Sequence, residues 1–350
     1  MVEKIKSIII LIVILLALAG VLYWRGINSV VSKTGQDVQF LVSPGESVSQ
    51  IGKNLAEADL IKSKFYFKVY VLLSGVQAKF QAGEYVLNPG LSIKKIVKIL
   101  TGGEVLSKER TIKIIEGWNI REISQYFEGQ GMFQSEELLE LIGFPQVDYR
   151  TNKEMPTPRN YADRFDFLKD KPAYYSLEGY LFPDTYRIFK DATLDDIVLK
   201  MLDNFSQKLT PEMRAEIARQ GKTIYEIVTM ASLLEKEVRS EEDMKIVSGI
   251  FWDRIKNKQA LESCATLAYI LGVKPQYTNE DTKVDSPYNT YQNRGLPPGP
   301  ISNPGLKAIR AAIYPEYTDY NYFLSRPDTG ETVFAKTYEE HNRNKVKYLK

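Results

Sequence analysis

Cysteine and histidine are nearly missing from this 350-residue chain, which has one of each, Cys264 and His341. A single cysteine excludes an internal disulfide, and a single histidine leaves too few ligands for a zinc cluster. An excess of one charge is lacking too: 46 Lys and Arg stand against 44 Asp and Glu, a net of +2. No block of basic residues forms a phosphate footprint, which excludes nucleic acid as the main partner. Cys264 reads as a small core residue rather than a nucleophile, because His341, its one imidazole candidate, sits in a charged tail. Neither a metal nor a cofactor is expected.

Long apolar runs are scarce as well. One stands out, Ile8 to Trp24, preceded by Lys4 and Lys6. Its seventeen residues sit at the lower limit for a spanning helix, and Ala17-Leu18-Ala19 resembles a signal-peptidase site. The run continues past that site to Tyr23 and Trp24, which suit a membrane interface, so an uncleaved anchor is the favoured reading. The lysines in front suggest an N-terminus inside the cell, and Arg25 and Lys33 weaken the asymmetry. Residues 1–25 are thus read as a cytoplasmic tip and anchor in the cytoplasmic membrane, crossed once, with the rest outside.

What is present in quantity is a repeated helix start. Gly45 to Ile51 ending at Leu55, Gly90 to Ile96 ending at Leu100, and Gly117 to Ile123 ending at Phe127 share one pattern: glycine, a cap residue, then apolar positions. Ser47, Ser92 and Asn119 are the predicted N-caps. Short apolar runs at 38–42, 85–87 and 111–115 suggest a strand before each. Residues 36–102 therefore read as a small α+β subdomain. From Gln130 to Lys171, Pro145, Pro156 and Pro158 break any regular pattern, and 103–175 reads as a connecting or lid region.

The most informative stretch is Thr223 to Arg239. Thr223 followed by Glu226 is a capping box, and no helix breaker follows. Helical periodicity puts Ile224, Ile227, Val228, Ala231, Leu234 and Val238 on one stripe, with Glu235 inside it and Glu226, Lys236 and Glu237 pointing elsewhere. A carboxylate on an apolar face is either a rim residue or a buried ion pair, here with Arg239 at i+4, or a catalytic acid whose proton is retained by desolvation. The helix alone leaves both open.

Two further segments carry polar candidates. SLEGYLFPDTY at 176–186 holds Glu178 and Asp184, either a second acid or sugar-hydroxyl acceptors, with Asp184 equally suited to a turn. The stretch Ser286 to Gly305 is stiffened by prolines and glycines and displays Asn289, Thr290 and Tyr291 at its start. Such loops position ligands or cover helices. A helix from about Thr193 to Leu209 and another from Glu241 to Lys258 flank the central one. The whole is an α+β chain: a transmembrane helix, a small α+β subdomain, then a mixed α/β catalytic domain over 103–350.

The strand, glycine, cap and helix pattern of 36–102 resembles LysM-type modules, which bind N-acetylglucosamine-containing glycans. LEGYLFPDTY at 177–186, ASLLEKE at 231–237, LESCAT at 261–266, YNTYQNRGLPPGPISNPG at 288–305 and EHN at 340–342 resemble the endolytic murein transglycosylases of the MltG/YceG-like family. Many relatives carry Gln and Asp where this chain has Glu262 and Cys264, and a His-x-Phe where it has Thr332-Val333-Phe334. The resemblance implies a single-pass membrane protein with a LysM-like subdomain, acting on peptidoglycan glycan strands. Cell-wall synthesis enzymes are implied as partners. Its essential glutamate falls on Glu235, which would protonate the leaving oxygen between N-acetylmuramic acid and N-acetylglucosamine, then take the C6 hydroxyl proton as a 1,6-anhydro end forms. Asn289, Thr290 and Tyr291 would hold the glycan. Two other classes stay open: a water-using muramidase with Glu178 or Asp184 as second carboxylate, and a non-catalytic glycan-binding scaffold.

Overall fold

The N-terminal apolar run forms one helix, α1 (Val2–Asn28), in a computed structural model that describes residues 2–32, 36–102 and 109–349. From Ile10 to Asn28 this helix is long and apolar enough to cross a membrane and is almost wholly unburied by protein. It runs three residues beyond the anchor boundary read above. Lys33, weighed for orientation, and 103–108, the start of the expected catalytic domain, lie outside the described residues. The chain divides into two units, Met1–Arg110 and Thr111–Lys350.

In the first unit, β1 (Val38–Val42) leads to α2 (Val48–Glu57), α3 (Lys64–Leu73), β2 (Gly83–Leu87) and α4 (Ile93–Gly102). β1 and β2 pair antiparallel with Phe40 opposite Tyr85. Alternation along β1 buries Phe40 and Val42 and leaves Leu41 outside, as a one-faced strand requires. Ser47 accepts from the Gln50 amide at 3.2 Å and Ser92 from the Lys95 amide at 3.4 Å, so both predicted caps start helices. Gly45 leads in at φ +76°, a conformation that favours glycine. Ile51, Leu55, Phe67, Val71, Tyr85, Leu87, Ile96 and Leu100 fill the core. Each such fully buried side chain contributes about 1.5–3 kcal/mol.

The third repeat belongs elsewhere. Asn119 does cap a helix, α5 (Ile120–Gly129), in a complete capping box with Glu122. Its strand, β3 (Glu109–Lys113), however, pairs with β4 (Thr185–Phe189), far along the chain. The strand ends two residues before the expected Ile115, although the Ile114 amide still donates to the Asp184 carbonyl at 2.9 Å.

The second unit continues through α6 (Ser135–Ile142), α7 (Leu194–Lys208), α8 (Pro211–Arg219), α9 (Ile224–Glu237), α10 (Glu241–Lys256), α11 (Cys264–Leu271) and α12 (Leu306–Ile313). An antiparallel hairpin, β5 (Tyr322–Ser325) with β6 (Thr332–Ala335), and α13 (Tyr338–Tyr348) close it. The unit is mainly helical, and its described strands occur only as the pairs β3–β4 and β5–β6. Within the stretch expected as a connection or lid, side chains between Ile112 and Leu168 pack into the core. Ile112, Ile123, Phe127, Leu138, Ile142 and Phe167 are buried in the same cluster as α9. Its irregular course serves packing: Phe167 stacks on Tyr180 at 6.0 Å and lies 4.9 Å from Phe205.

Candidate active site

The central helix begins as its capping box requires. Thr223 accepts from the Glu226 amide at 3.1 Å, and the Glu226 carboxylate accepts from the Thr223 amide at 2.8 Å. Beyond its first turn α9 is buried on every side from Ile227 to Leu234, not along a stripe alone, because α8, α10, α11 and α12 pack around it. It stops at Glu237, and Val238 is extended. Arg239 therefore lies off the helix, and Glu235 has no ion pair with it among the described residues. The buried-pair alternative for Glu235 loses its partner.

At this helix end, Glu235 Oε2 accepts from the Gly305 amide at 2.9 Å. Gly305 is the N-cap of α12, so the carboxylate faces the positive end of a helix. Oε1 has no hydrogen-bond partner among the described residues. Burial raises the Glu235 pKa above the usual carboxylate value. The Gly305 N–H works against that, the Glu116 charge adds to it, and Lys236 and Lys307 oppose it.

Two turns form the walls. Gly117, at φ +80°, brings its backbone so close that a Cβ there would stand 3.4 Å from Glu235 Cγ. The Gly117 carbonyl accepts from Lys236 Nζ at 3.2 Å, which ties the lysine down beside Glu235. Across from it, a Cβ on Gly305 would fall 2.1 Å from Glu116 Oε1, so the glycine is what lets Glu116 lie over the Glu235 donor. The turns are interlocked: the Gly117 amide donates to the Asn303 carbonyl at 2.9 Å and the Asn303 amide to the Trp118 carbonyl at 2.7 Å.

The other sequence candidates divide. Glu178 is 3% exposed and acts inside the protein. Its Oε1 accepts from the Ile120 amide at 3.0 Å, at the start of α5, and from Asn303 Nδ2 at 3.2 Å, and its Oε2 meets the Tyr269 hydroxyl at 3.2 Å. Burial pushes its carboxyl up to about 8. Asp184 accepts from the Thr185 amide at 2.7 Å and from Asn204 Nδ2 at 3.0 Å, bonds made with its own turn and α7 rather than with a group around Glu235.

Asn289 and Thr290 do not display their side chains as expected. Asn289 is fully buried, gives its amide to the Thr282 and Val284 carbonyls and accepts from the Tyr291 amide. Thr290 Oγ1 accepts from the Ser263 amide at 3.1 Å and meets Thr266 Oγ1 at 3.0 Å. Thr290 thus ties the loop to the start of α11 and Asn289 ties it to the segment before it, since buried polar groups require partners. Tyr291 differs. Its hydroxyl lies 3.1 Å from Cys264 Sγ, and both line a cavity of about 440 Å³ with Glu237, Arg254, Glu262 and His341. Cys264 is exposed at the first position of α11, not in the core, and His341 shares its cavity with its ring stacked on Tyr322. Glu237 points to that side. It accepts from the Ser263 hydroxyl and the Ala265 amide at the start of α11, and burial raises its pKa.

Glu116 and Asn303 were not singled out in the sequence. Glu116 sits beside Gly117 and Asn303 two residues before Gly305, both outside any helical or strand period, and only the meeting of the two segments gives them a role.

Residues 40–347 match the model of the YceG-like family. This chain belongs to the YceG-like family. Within it, the endolytic murein transglycosylase of Bacillus subtilis (strain 168) is 34% identical over 332 residues, 94% of this chain and 89% of the relative. That of Streptococcus pneumoniae serotype 2 (strain D39) is 32% identical over 321 residues, 88% of this chain, which spans 58% of that longer relative. The solved structure of a YceG-like protein from Listeria monocytogenes aligns over 89% of this chain and 100% of its own, with 32% identity and a TM-score of 0.56.

Proposed function

We propose that this YceG-like protein is an endolytic murein transglycosylase, as its Bacillus and Streptococcus relatives are named. It cuts the bond between N-acetylmuramic acid and N-acetylglucosamine inside nascent peptidoglycan strands. The observation that carries the reading is Glu235: a desolvated carboxyl at the end of a buried helix, held through Oε2 by the Gly305 N–H, with Oε1 unbonded among the described residues. Neutral Glu235 donates its proton to the glycosidic oxygen as the C1–O bond breaks. The carboxylate left behind takes the proton of the muramyl C6 hydroxyl as that oxygen bonds to C1. Atoms and protons balance without water, metal or cofactor, and the product ends in 1,6-anhydro-N-acetylmuramic acid.

Glu116 adds negative charge beside the acid and so favours its protonated form. Among the five side chains weighed for substrate contact, Tyr291 is assigned to the glycan, since it lines an open cavity. Glu178, Asp184, Asn289 and Thr290 are assigned to holding the scaffold.

The protein is further read as a single-pass protein of the cytoplasmic membrane, N-terminus inside, with α1 as anchor. The order β1–α2–α3–β2 with its antiparallel pair supports a LysM-like, glycan-binding first unit. Enzymes of cell-wall synthesis are the proposed partners.

A second reading follows from one observation. A water-using muramidase needs another carboxylate beside the acid. Glu116 stands there, whereas Glu178 and Asp184 are bonded elsewhere. Uncross-linked glycan strands incubated with the full chain in detergent, beside Glu235→Gln, separate the readings. Muramyl ends one water lighter than reducing ends, absent with Glu235→Gln, support the transglycosylase. Reducing ends labelled from heavy-oxygen water would replace it with the hydrolase, and glycan binding without any cutting would replace both with a scaffold.

A further inference from the structure

Helix α3 carries an apolar face that its own unit leaves uncovered. Phe65 is 66% exposed, Leu72 66% and Leu73 69%, with Val69 half-buried between them. At about 100° per residue these four share one stripe. The opposite face buries Phe67 and Val71 in the core, so the helix is apolar on both sides. Lys64 and Lys68, both exposed, border the outer stripe.

What lies next to this face identifies its cover. α3 packs against the outer end of α1. A Cβ on Gly26 would stand 2.6 Å from the Tyr66 ring, and Tyr23, one turn earlier on α1, is an electrostatic neighbour of Tyr70, one turn later on α3. The two helices therefore run in opposite directions, and α3 heads back along the membrane-directed segment. Tyr23 and Trp24 are the aromatic residues of that segment's outer end. At about 1.5 Å per residue, Leu73 stands about 5 Å further than Tyr70 toward the bilayer centre.

We propose that α3 dips its C-terminal end into the membrane: Leu72 and Leu73 enter the acyl boundary of the outer leaflet beside α1, Phe65 lies at headgroup level, and Lys64 and Lys68 meet anionic lipid phosphates. The first unit is then held against the bilayer at two places, which limits how far from the membrane its β1–β2 side can reach. The proposal rests on the reading of α1 as an uncleaved anchor and is independent of the reaction.

The test uses the full chain with Cys264→Ser, so that one introduced cysteine carries a nitroxide, in nanodiscs of phosphatidylcholine and phosphatidylglycerol. Labels go on Leu72→Cys, Leu73→Cys, Ile14→Cys within α1 and Lys53→Cys on α2, where Lys53 is exposed. Circular dichroism confirms each variant is folded. Expected are oxygen-to-nickel accessibility ratios at 72 and 73 several-fold above that at 53 and below that at 14. Nickel accessibility at 72 and 73 equal to that at 53 would place α3 in water and overturn the proposal. Shielding from both reagents would mean a protein cover, such as a second copy, and also overturn it. An aqueous label at 14 would remove the anchor reading and this proposal with it.

Discussion

Gly305 gives its backbone N–H to Glu235 at 2.9 Å while its bare Cα leaves room for Glu116 on the same residue. One glycine thus holds the proposed acid by a hydrogen bond and admits a second negative charge beside it. The two effects oppose each other on the proton of Glu235, and the direction that results, upward, comes mainly from burial.

Replacing Glu235 by Gln should abolish cutting and keep the fold. The Gln carbonyl still accepts from the Gly305 amide, so the melting temperature should stay within a few degrees, whereas loss of the acid should cost at least about 10²–10⁴-fold in rate. Product release from defined glycan strands measures this. Retained cutting by the Gln variant would move the chemistry to another residue.

Glu116→Gln should shift the pH profile. As an acid, Glu235 must be protonated, so activity falls as pH rises through its pKa. Removing the neighbouring negative charge lowers that pKa, and the falling limb of kcat/KM should move to lower pH. Activity lost near neutrality should return on acidification. A profile that drops evenly at all pH values would mean that Glu116 shapes the site without tuning the acid.

Gly305→Ala tests the close approach. The new methyl would overlap Glu116 Oε1, which is the far end of a flexible side chain and can swing away. The variant should fold, and its pH profile should shift as that of Glu116→Gln does. Identical profiles in Gly305→Ala and the wild type would show that Glu116 needs no such space.

Glu178 makes stability depend on pH. Its folded pKa is raised to about 8, from an ordinary carboxylate value of 4.5. Below the lower value both states hold the proton and no penalty exists. Between the two the unfolded chain releases a proton that the folded chain keeps, so stability falls as pH rises through this window and levels off above it. Glu178→Gln, which can still accept from the Ile120 amide and donate to Tyr269, should flatten that slope. Melting temperatures from pH 5 to 9 for both proteins measure it.

Asn303→Ala should destabilise without touching the acid. It removes the side-chain bonds to the Leu181 amide, the Trp118 carbonyl and Glu178. Leaving such buried groups unpaired costs about 1–3 kcal/mol. Denaturant unfolding would register it, and a change under a few tenths of a kcal/mol would contradict the clamp.

Much of the local structure was legible because it depends on neighbours in sequence. Thr223, Ser47, Ser92 and Asn119 cap helices as their spacing predicts, since a cap needs only an oxygen and an amide two or three residues on. Strand β1 occupies 38–42 as read, from β-favouring residues alone. Glu235 was placed on an inward-facing side of α9 by periodicity, and the helix end does turn it to a wall of two turns.

Other roles were illegible because they depend on partners far along the chain. Glu178 looked like a second acid until Ile120, Tyr269 and Asn303 met it. Asn289 and Thr290 looked displayed, yet their loop folds them inward. The stretch 130–171 lacked a period because buried side chains such as Phe165, Phe167 and Leu168 fit a core built with later helices, and packing has no signature in spacing.

The sequence by itself determined the apolar segment, the helix starts and which glutamate shares the apolar stripe of α9, because each follows from hydrophobicity, caps and a period of 3.6 residues. Only the tertiary structure decided that the third repeat joins β4, that Glu116 and Gly305 surround Glu235, and that Glu178 is a buried clamp. Those contacts join residues about 60 to 190 positions apart. Chain spacing carries no record of such meetings, and packing and hydrogen-bond satisfaction select them together.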